Sequence, residues 1–183
     1  YAVEDADVTY QISAILKAKL KKENLFKPYH DIDLPLIPVL VEIEKNGIFL
    51  DMDYLTKLSQ EFDKALITLT EKIHQIAGRK FNINSPKQLA EILFDDLKLK
   101  PIRKRSTAVE VLEVLKNHHP LPEVVLEYRH LAKLKSTYVD AFPTYINKHT
   151  GRVHTSLNQT IAATGRLSST SPNFQNIPIR TET

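Results

Sequence analysis

Cysteine does not occur in the 183 residues. That excludes a disulfide framework and a thiolate metal site, and it fits a reducing compartment. Methionine is almost as scarce: the chain opens on Tyr1, and Met52 is its single methionine. An internal piece of a longer polypeptide is therefore expected. No apolar run approaches the roughly 20 residues that span a bilayer, and no secretory leader opens the chain. No membrane partner is expected, and a cytoplasmic setting is. Internal repeats and low-complexity tracts are absent as well. What remains is an ordinary globular composition, 42% hydrophobic and 26% charged, enough for one domain or parts of two. A net charge of +3 is too small to argue for a polyanionic partner, so the placement of the charges has to carry that argument.

Apolar spacing predicts a helix from about Glu4 to Glu23 (Val8, Ile12, Ile15, Leu16, Leu20), with a lysine-rich last turn that suits the helix dipole. Residues 24–33 read as a linker. "LPLIPVLVEIEKNG" reads as a short buried helix closed by Gly47 in the left-handed conformation. Asp51 is a good N-cap for a long helix with an apolar stripe (Leu55, Leu58, Phe62, Leu66, Leu69, Ile73) that ends at Gly78. Ser85 and Pro86 open a further helix, and Ser106 or Thr107 opens a short one. Pro120 and Pro122 introduce a second long helix, with Val125, Leu126, Leu131 and Leu134 inward and a kink or break at Pro143. Two long helices around short ones predict a mainly α fold, a long antiparallel hairpin with a small helical tip. Beyond "NKHTG" the pattern alternates, and "RVHTSLNQT" and "IAATGRLSST" predict a small antiparallel β segment.

Three groups of residues bear on function. At the amino end, Glu4, Asp5 and Asp7 cluster at a helix start, where carboxylates ordinarily serve the dipole. A two-metal nuclease site would need further carboxylates from other segments. Lys98, Lys100, Arg103, Lys104 and Arg105 crowd the connector at the tip, while Arg129 and Lys133 lie four apart on the second long helix. Such runs are commonly solvated faces. On one rigid hairpin they would also form a series of phosphate contacts that position a duplex without reading its sequence, and the connector holds no acid to neutralise them. His74, His118, His119 and His130 are not spaced as metal ligands and read as surface or capping residues. His154, in the alternating segment, has no local argument for a role.

The closing stretch is the most specific. "TGRLSS" is followed by "SPNFQNIP", with the amides of Asn173, Gln175 and Asn176 close together, and then by Arg180. Turns favour such residues for backbone reasons. Amides and arginines also reach the acceptors of the minor groove, where every base pair presents purine N3 or pyrimidine O2. A protein that must accept any sequence yet test pair geometry would use that degenerate pattern, and a polymerase has that problem.

"LAKLKSTYVD", "GRVHTSLNQTIAATGRLSSTSPNFQNIPIRTE" and "YAVEDADVT" resemble, in order and spacing, segments of bacterial family A DNA polymerases. The resemblance implies residues 1–30 as the end of a 3'-5' exonuclease-like domain, 31–150 as a thumb-type helical domain and 151–183 as the start of a palm. It implies a DNA-directed nucleotidyltransferase of replication and repair that grips primer–template DNA, uses deoxynucleoside triphosphates and needs Mg2+. By the same resemblance Arg166 meets the minor-groove edge of the primer-terminal pair. Asn173, Gln175 and Asn176 lie along template and primer, and Arg180 lies toward the incoming nucleotide. Arg129 and Lys133 touch the DNA backbone. Tyr1 would orient a hydrolytic water, and Asp5 would bind a metal in an intact exonuclease domain.

The sequence departs from the family pattern at Ser171, where an aspartate is common, and in a short tip connector without glycine. The metal-binding aspartates of the polymerase are expected to lie outside these residues, so nucleotide transfer is expected of the whole protein and not of this chain alone. A small metal-dependent nuclease and a helical binding or interaction module without enzymatic activity are the other readings.

Overall fold

A computed structural model describes residues 1–178, and its contacts divide the chain into two compact units. One comprises Leu50–Ile146, the other Tyr1–Phe49 together with the chain from Asn147 onward.

The unit Leu50–Ile146 is a helical hairpin. Helix α3 (Met52–Ala77) starts where the Asp51 carboxylate accepts the Tyr54 amide at 2.9 Å, as the cap signal predicts, and ends at Gly78 in the left-handed conformation. Its 26 residues span roughly 40 Å. Helix α4 (Pro86–Ala90) has Ser85 as its cap and runs into a wide π turn, Glu91–Asp96. Helix α5 is Val109–Leu115. It begins later than expected because the Ser106 hydroxyl accepts the amide of Ala108, forming a turn ahead of the helix. Helix α6 (Pro120–Leu134) continues as a π turn, Lys135–Val139, and breaks before the 3-10 turn Phe142–Tyr145 that holds Pro143.

Helices α3 and α6 run antiparallel. Near one end Leu69 and Ile73 join a core with Leu121, Val124 and Val125, while at the other end Lys135 meets Ser59 and Asp63. The core gathers at the tip, where Ile73, Leu89, Ile92, Leu93, Leu112, Leu121 and Val125 are fully buried. Burying side chains of this size contributes about 1.5–3 kcal/mol each. The tip is therefore the firmest part of this unit, and it is the part that carries the basic connector.

In the other unit, helix α1 (Ala2–Lys22) has acids in its first turn and lysines in its last, and buries no residue. Its predicted apolar stripe is open: Val8, Ile12, Ile15 and Leu16 are all exposed. Residues 24–33, expected as a linker, are instead largely helical, with turns at Phe26–Pro28 and Tyr29–Asp33. Helix α2 (Leu34–Asn46) buries only Leu40, which corrects the expectation of a buried helix. Apolar composition sets what a helix prefers to touch, not whether something covers it. Gly47 closes α2 at φ +64° and ψ 177°, a positive-φ conformation that essentially only glycine takes, and not the left-handed helical cap expected. Strands β1 (Ser156–Asn158) and β2 (Ser168–Thr170) pair antiparallel, as predicted but shorter, in the register Ser156 with Thr170, Leu157 with Ser169 and Asn158 with Ser168.

Candidate nucleic-acid interface

The β-hairpin holds its polar residues in two different states. Ser169 is buried in the middle of β2. Its amide donates to Gln175 Oε1 at 3.1 Å, its hydroxyl accepts from the Phe174 amide at 2.9 Å and donates to Asn173 Oδ1 at 3.2 Å. Gln175 Nε2 donates to the Leu167 carbonyl at 2.6 Å. The Gln175 amide thus brackets β2 as a third strand's backbone would. Asn173 Oδ1 also accepts the Gln175 amide at 2.9 Å, a local turn bond of the kind Asn favours. The buried Thr155 hydroxyl lies within bonding distance of the carbonyls of Thr170 (3.0 Å) and Pro172 (2.8 Å). Ser171 sits between them at φ +58°. So Asn173 and Gln175 shape the turn with atoms that were expected to reach DNA.

Arg166 differs. It follows the turn that Gly165 closes onto the Ala162 carbonyl at 3.1 Å, two residues before β2. It is exposed, and no described residue accepts from its guanidinium. Beside a turn bonded within itself, an arginine fork with no acceptor among the described residues can present five donors to acceptors brought from outside. Arg180 lies outside the described residues.

At the tip the basic residues also separate. Arg103, Lys104 and Arg105 take successive positive φ values of 46°, 53° and 66°, a left-handed turn that costs L-residues about 1–2 kcal/mol each. Arg105 turns back onto its own unit. It donates to both carboxylate oxygens of Asp95, at 2.8 and 2.5 Å, and lies over the Phe94 ring. Asp95 is held below the usual carboxylate range by that bond, and Arg105 above the usual arginine value. The expectation that the tip cannot neutralise itself is corrected here, because the acid comes from the π turn and not from the connector. Arg103 and Lys104 have no partner among the described residues.

Arg129 is half-buried. Its Nη1 donates to the Thr107 carbonyl at 2.5 Å and its Nη2 lies 3.5 Å from the Thr107 hydroxyl. Burial pulls its guanidinium below the usual arginine value. Lys133, one turn on, is exposed and has no partner among the described residues. A groove of about 560 Å³ lies beside this contact, lined by Asn84, Pro86, Arg105, Ser106, Thr107, Ala108 and Arg129. Its rim of amide, hydroxyl and guanidinium groups suits an anion more than an apolar ligand.

At the amino end Tyr1 is fully exposed, and the Asp5 backbone carbonyl accepts the Thr9 hydroxyl at 2.7 Å. Among the described residues no three histidine, aspartate or glutamate side chains gather to hold a metal ion. The described residues therefore do not fit a metal ion.

Residues 52–183 match the family model described as DNA polymerase family A. The chain belongs to that family. Among curated family A polymerases it is 47% identical to DNA polymerase I of Pseudomonas aeruginosa, covering 99% of this chain and 21% of the relative. It is 46% identical to DNA polymerase I of Borreliella burgdorferi, covering 100% and 20%, and 45% identical to the thermostable DNA polymerase I of Thermus aquaticus, covering 98% and 22%. The chain thus spans about a fifth of the length of these relatives. A solved structure, the POL domain of Pol1 from M. smegmatis in complex with DNA primer-template and dNTP, superposes with a TM-score of 0.81 at 37% identity, covering 94% of this chain and 31% of that one.

Two further clusters of this family A chain escaped the sequence reading. Lys135, its side chain only 15% exposed, donates to Asp140 at 2.7 Å and to Ser59 at 2.9 Å and lies 3.3 Å from Asp63. The backbone bond from the Asp140 amide to the Lys135 carbonyl, at 2.9 Å, is the wide π step that brings lysine and aspartate together. At the end of α2, His154 bonds to the Glu44 carbonyl and to the Thr150 hydroxyl. The signal for Lys135 lay in its spacing to Asp140. For His154 the Glu44 partner stands 110 residues away, too far in sequence to be read.

Proposed function

We propose that this chain is part of a template-directed DNA polymerase, in which the helical hairpin grips primer–template DNA and the β-hairpin meets the primer terminus. The single observation that carries the proposal is Arg166. It stands exposed, with no acceptor among the described residues, beside a turn held by the side-chain amides of Asn173 and Gln175, the arrangement that a probe of the minor groove requires. Family membership and a structural relative described with primer-template and dNTP support the same reading.

In this reading Lys133, Arg103 and Lys104 contact phosphates, and Arg129, with Asn84 and Ser106, forms one wall of a groove that receives one. Asn173 and Gln175 hold the turn at the terminus, Asn176 lies along the DNA beside it, and Arg180 is assigned to the nucleotide side. Residues 31–150 act as the thumb and those from 151 as the beginning of the palm, although by contacts α2 groups with the hairpin strands. Residues 1–30 descend from an exonuclease-like domain, with Tyr1 and Asp5 as its motif. Deoxynucleoside triphosphates and Mg2+ are partners of the whole protein, the ion held by residues other than those described here.

The test measures the whole protein in primer extension and in DNA binding by fluorescence anisotropy. Arg166→Ala lowers incorporation about tenfold or more, as expected for a groove contact worth about 1–3 kcal/mol. DNA affinity falls much less, because many phosphate contacts supply it. Equal losses in both would make Arg166 only another anchor. Salt-dependent DNA binding without any extension would favour a binding module instead.

A further inference from the structure

Helix α2 ends against the segment that enters β1, and the junction is tied by side chains from both. His154 Nδ1 lies 2.7 Å from the Glu44 carbonyl oxygen, and His154 Nε2 lies 2.7 Å from the Thr150 hydroxyl. A carbonyl only accepts, so Nδ1 carries the proton, and in the neutral ring Nε2 accepts from the threonine. The Thr150 oxygen in turn accepts the Arg152 amide at 3.3 Å. The Glu44 side chain accepts the Leu157 amide in the middle of β1, and the Arg152 guanidinium reaches the Gly47 carbonyl at 3.3 Å. Ile48 and Val153 pair through both backbone bonds, at 2.8 and 2.9 Å, and Val153 is fully buried.

Gly47 shows how closely this junction is fitted to the imidazole. A Cβ at Gly47 would stand 2.7 Å from His154 Cε1 and 2.8 Å from Nδ1. Its φ of +64° with ψ of 177° is a region that essentially only glycine occupies. The backbone therefore takes a conformation reserved for glycine where the ring packs against it.

From β1 the constraint passes across the sheet. Leu157, held by Glu44, pairs with Ser169, and Asn158 pairs with Ser168, two residues after Arg166. On the far side of β2 the Gln175 amide fixes Ser169 and Leu167. Arg166 itself has no bond of its own to a described residue, so its place is set by β2, and the place of β2 by β1 on one side and by Gln175 on the other.

We infer that His154 is a positioning residue for Arg166: by joining Glu44 to the entry of β1 it sets the location from which the Arg166 fork addresses the primer terminus. This rests on the polymerase reading above. His154 touches neither DNA nor nucleotide in this scheme. It acts through the register of two short strands, which on their own have few bonds with which to hold it.

The test compares His154→Ala and His154→Asn in the whole protein, each with and without Arg166→Ala. Single-turnover primer extension, DNA anisotropy and thermal midpoints are measured on the same preparations. Asparagine keeps an N–H near the position of Nδ1 and guards against a variant that simply fails to fold. Displacing a positioned group by about an ångström can cost up to about a hundredfold in rate. His154→Ala is accordingly expected to slow incorporation about ten- to a hundredfold while DNA affinity stays within about threefold. His154→Asn should recover most of the rate. In the Arg166→Ala background the loss from His154→Ala should shrink to about twofold or less, because residues acting through one contact are not additive. A full loss in that background, with the wild type extending primers normally, overturns this inference and leaves the polymerase reading standing. So does a parallel fall of rate, affinity and thermal midpoint. A wild-type protein that binds primed DNA but does not extend it overturns the polymerase reading itself.

Discussion

Arg129 reaches from helix α6 to Thr107, donating to its carbonyl at 2.5 Å with the hydroxyl 3.5 Å away, and so ties the tip segment to the hairpin arm. The contact alters what the side chain can offer DNA. Part of its fork is engaged within the protein, and only the remainder faces the groove it shares with Asn84 and Ser106. Arg129 and Lys133 look equivalent as a basic pair one turn apart, but only Lys133 is a plain surface cation.

The two residues therefore separate on substitution. Hydrogen bonds to charged groups contribute about 1.5–3 kcal/mol, and partial exposure of this one lowers the expectation to about 1–2 kcal/mol for Arg129→Ala. Lys133→Ala changes stability by less than about 0.5 kcal/mol. Both weaken DNA binding, but only Lys133→Ala does so without moving the urea midpoint. Equal midpoints for the two variants would show that the Thr107 contact holds nothing.

Asp95 controls a second cation. While its carboxylate holds Arg105 in a two-point pair, Arg105 is withheld from the tip's positive face. Asp95→Asn releases the guanidinium. DNA affinity at low salt should rise, and the slope of log affinity against log salt should steepen by up to about 0.9, the release of one further counterion. Anisotropy titrations at several salt concentrations measure this directly. An unchanged slope means that Arg105 remains folded back on Phe94 and does not face phosphate.

Local signals were legible and distant ones were not. Asp51, Gly78, Ser85 and Pro86 mark their helix ends because caps act within a few residues, and each stands where the pattern put it. The two strands were legible from alternation and β-branching. The bond from Arg129 to Thr107 joins residues 22 apart, and that from His154 to Glu44 joins residues 110 apart. No periodicity carries such pairings. Asp95 stands only 10 residues from Arg105, yet the charge of the connector was read without the turn that packs beside it. In the closing stretch the amides show their donors and acceptors in the sequence, but nothing there shows that Ser169 engages the amide oxygens of Asn173 and Gln175. Sequence singled out the residues of the turn. Which of them point inward depends on burial, and burial is a property of the fold.

The Lys135 hub gives a dependence on pH whose sign can be worked out. The Asp140 carboxyl is held below the usual carboxylate range, chiefly by its bond from Lys135, and the Lys135 ammonium is held above the usual lysine value, chiefly by Asp140 and then by Asp63. A carboxyl depressed in the folded state stabilises above its unfolded pKa of about 3.9, and the contribution disappears as pH falls through the depressed value. A lysine raised in the folded state stabilises below its unfolded pKa of about 10.4, and the contribution disappears as pH rises through the raised value. Both are present between about pH 5 and pH 9.5. Lys135→Met, which keeps the stem and removes the charge, should cost about 1–2 kcal/mol across that plateau, between the ranges for exposed and buried pairs. Because the hub joins α3 to the end of α6, the loss should appear as earlier exchange of amides at Lys135–Val139, while those of the tip core keep their protection. Urea unfolding of wild type and variant from pH 3 to pH 10 gives the curve. Convergence of the two proteins toward the acid end is expected, and a constant difference down to pH 3 would mean that the ammonium contributes by filling space and not by its charge.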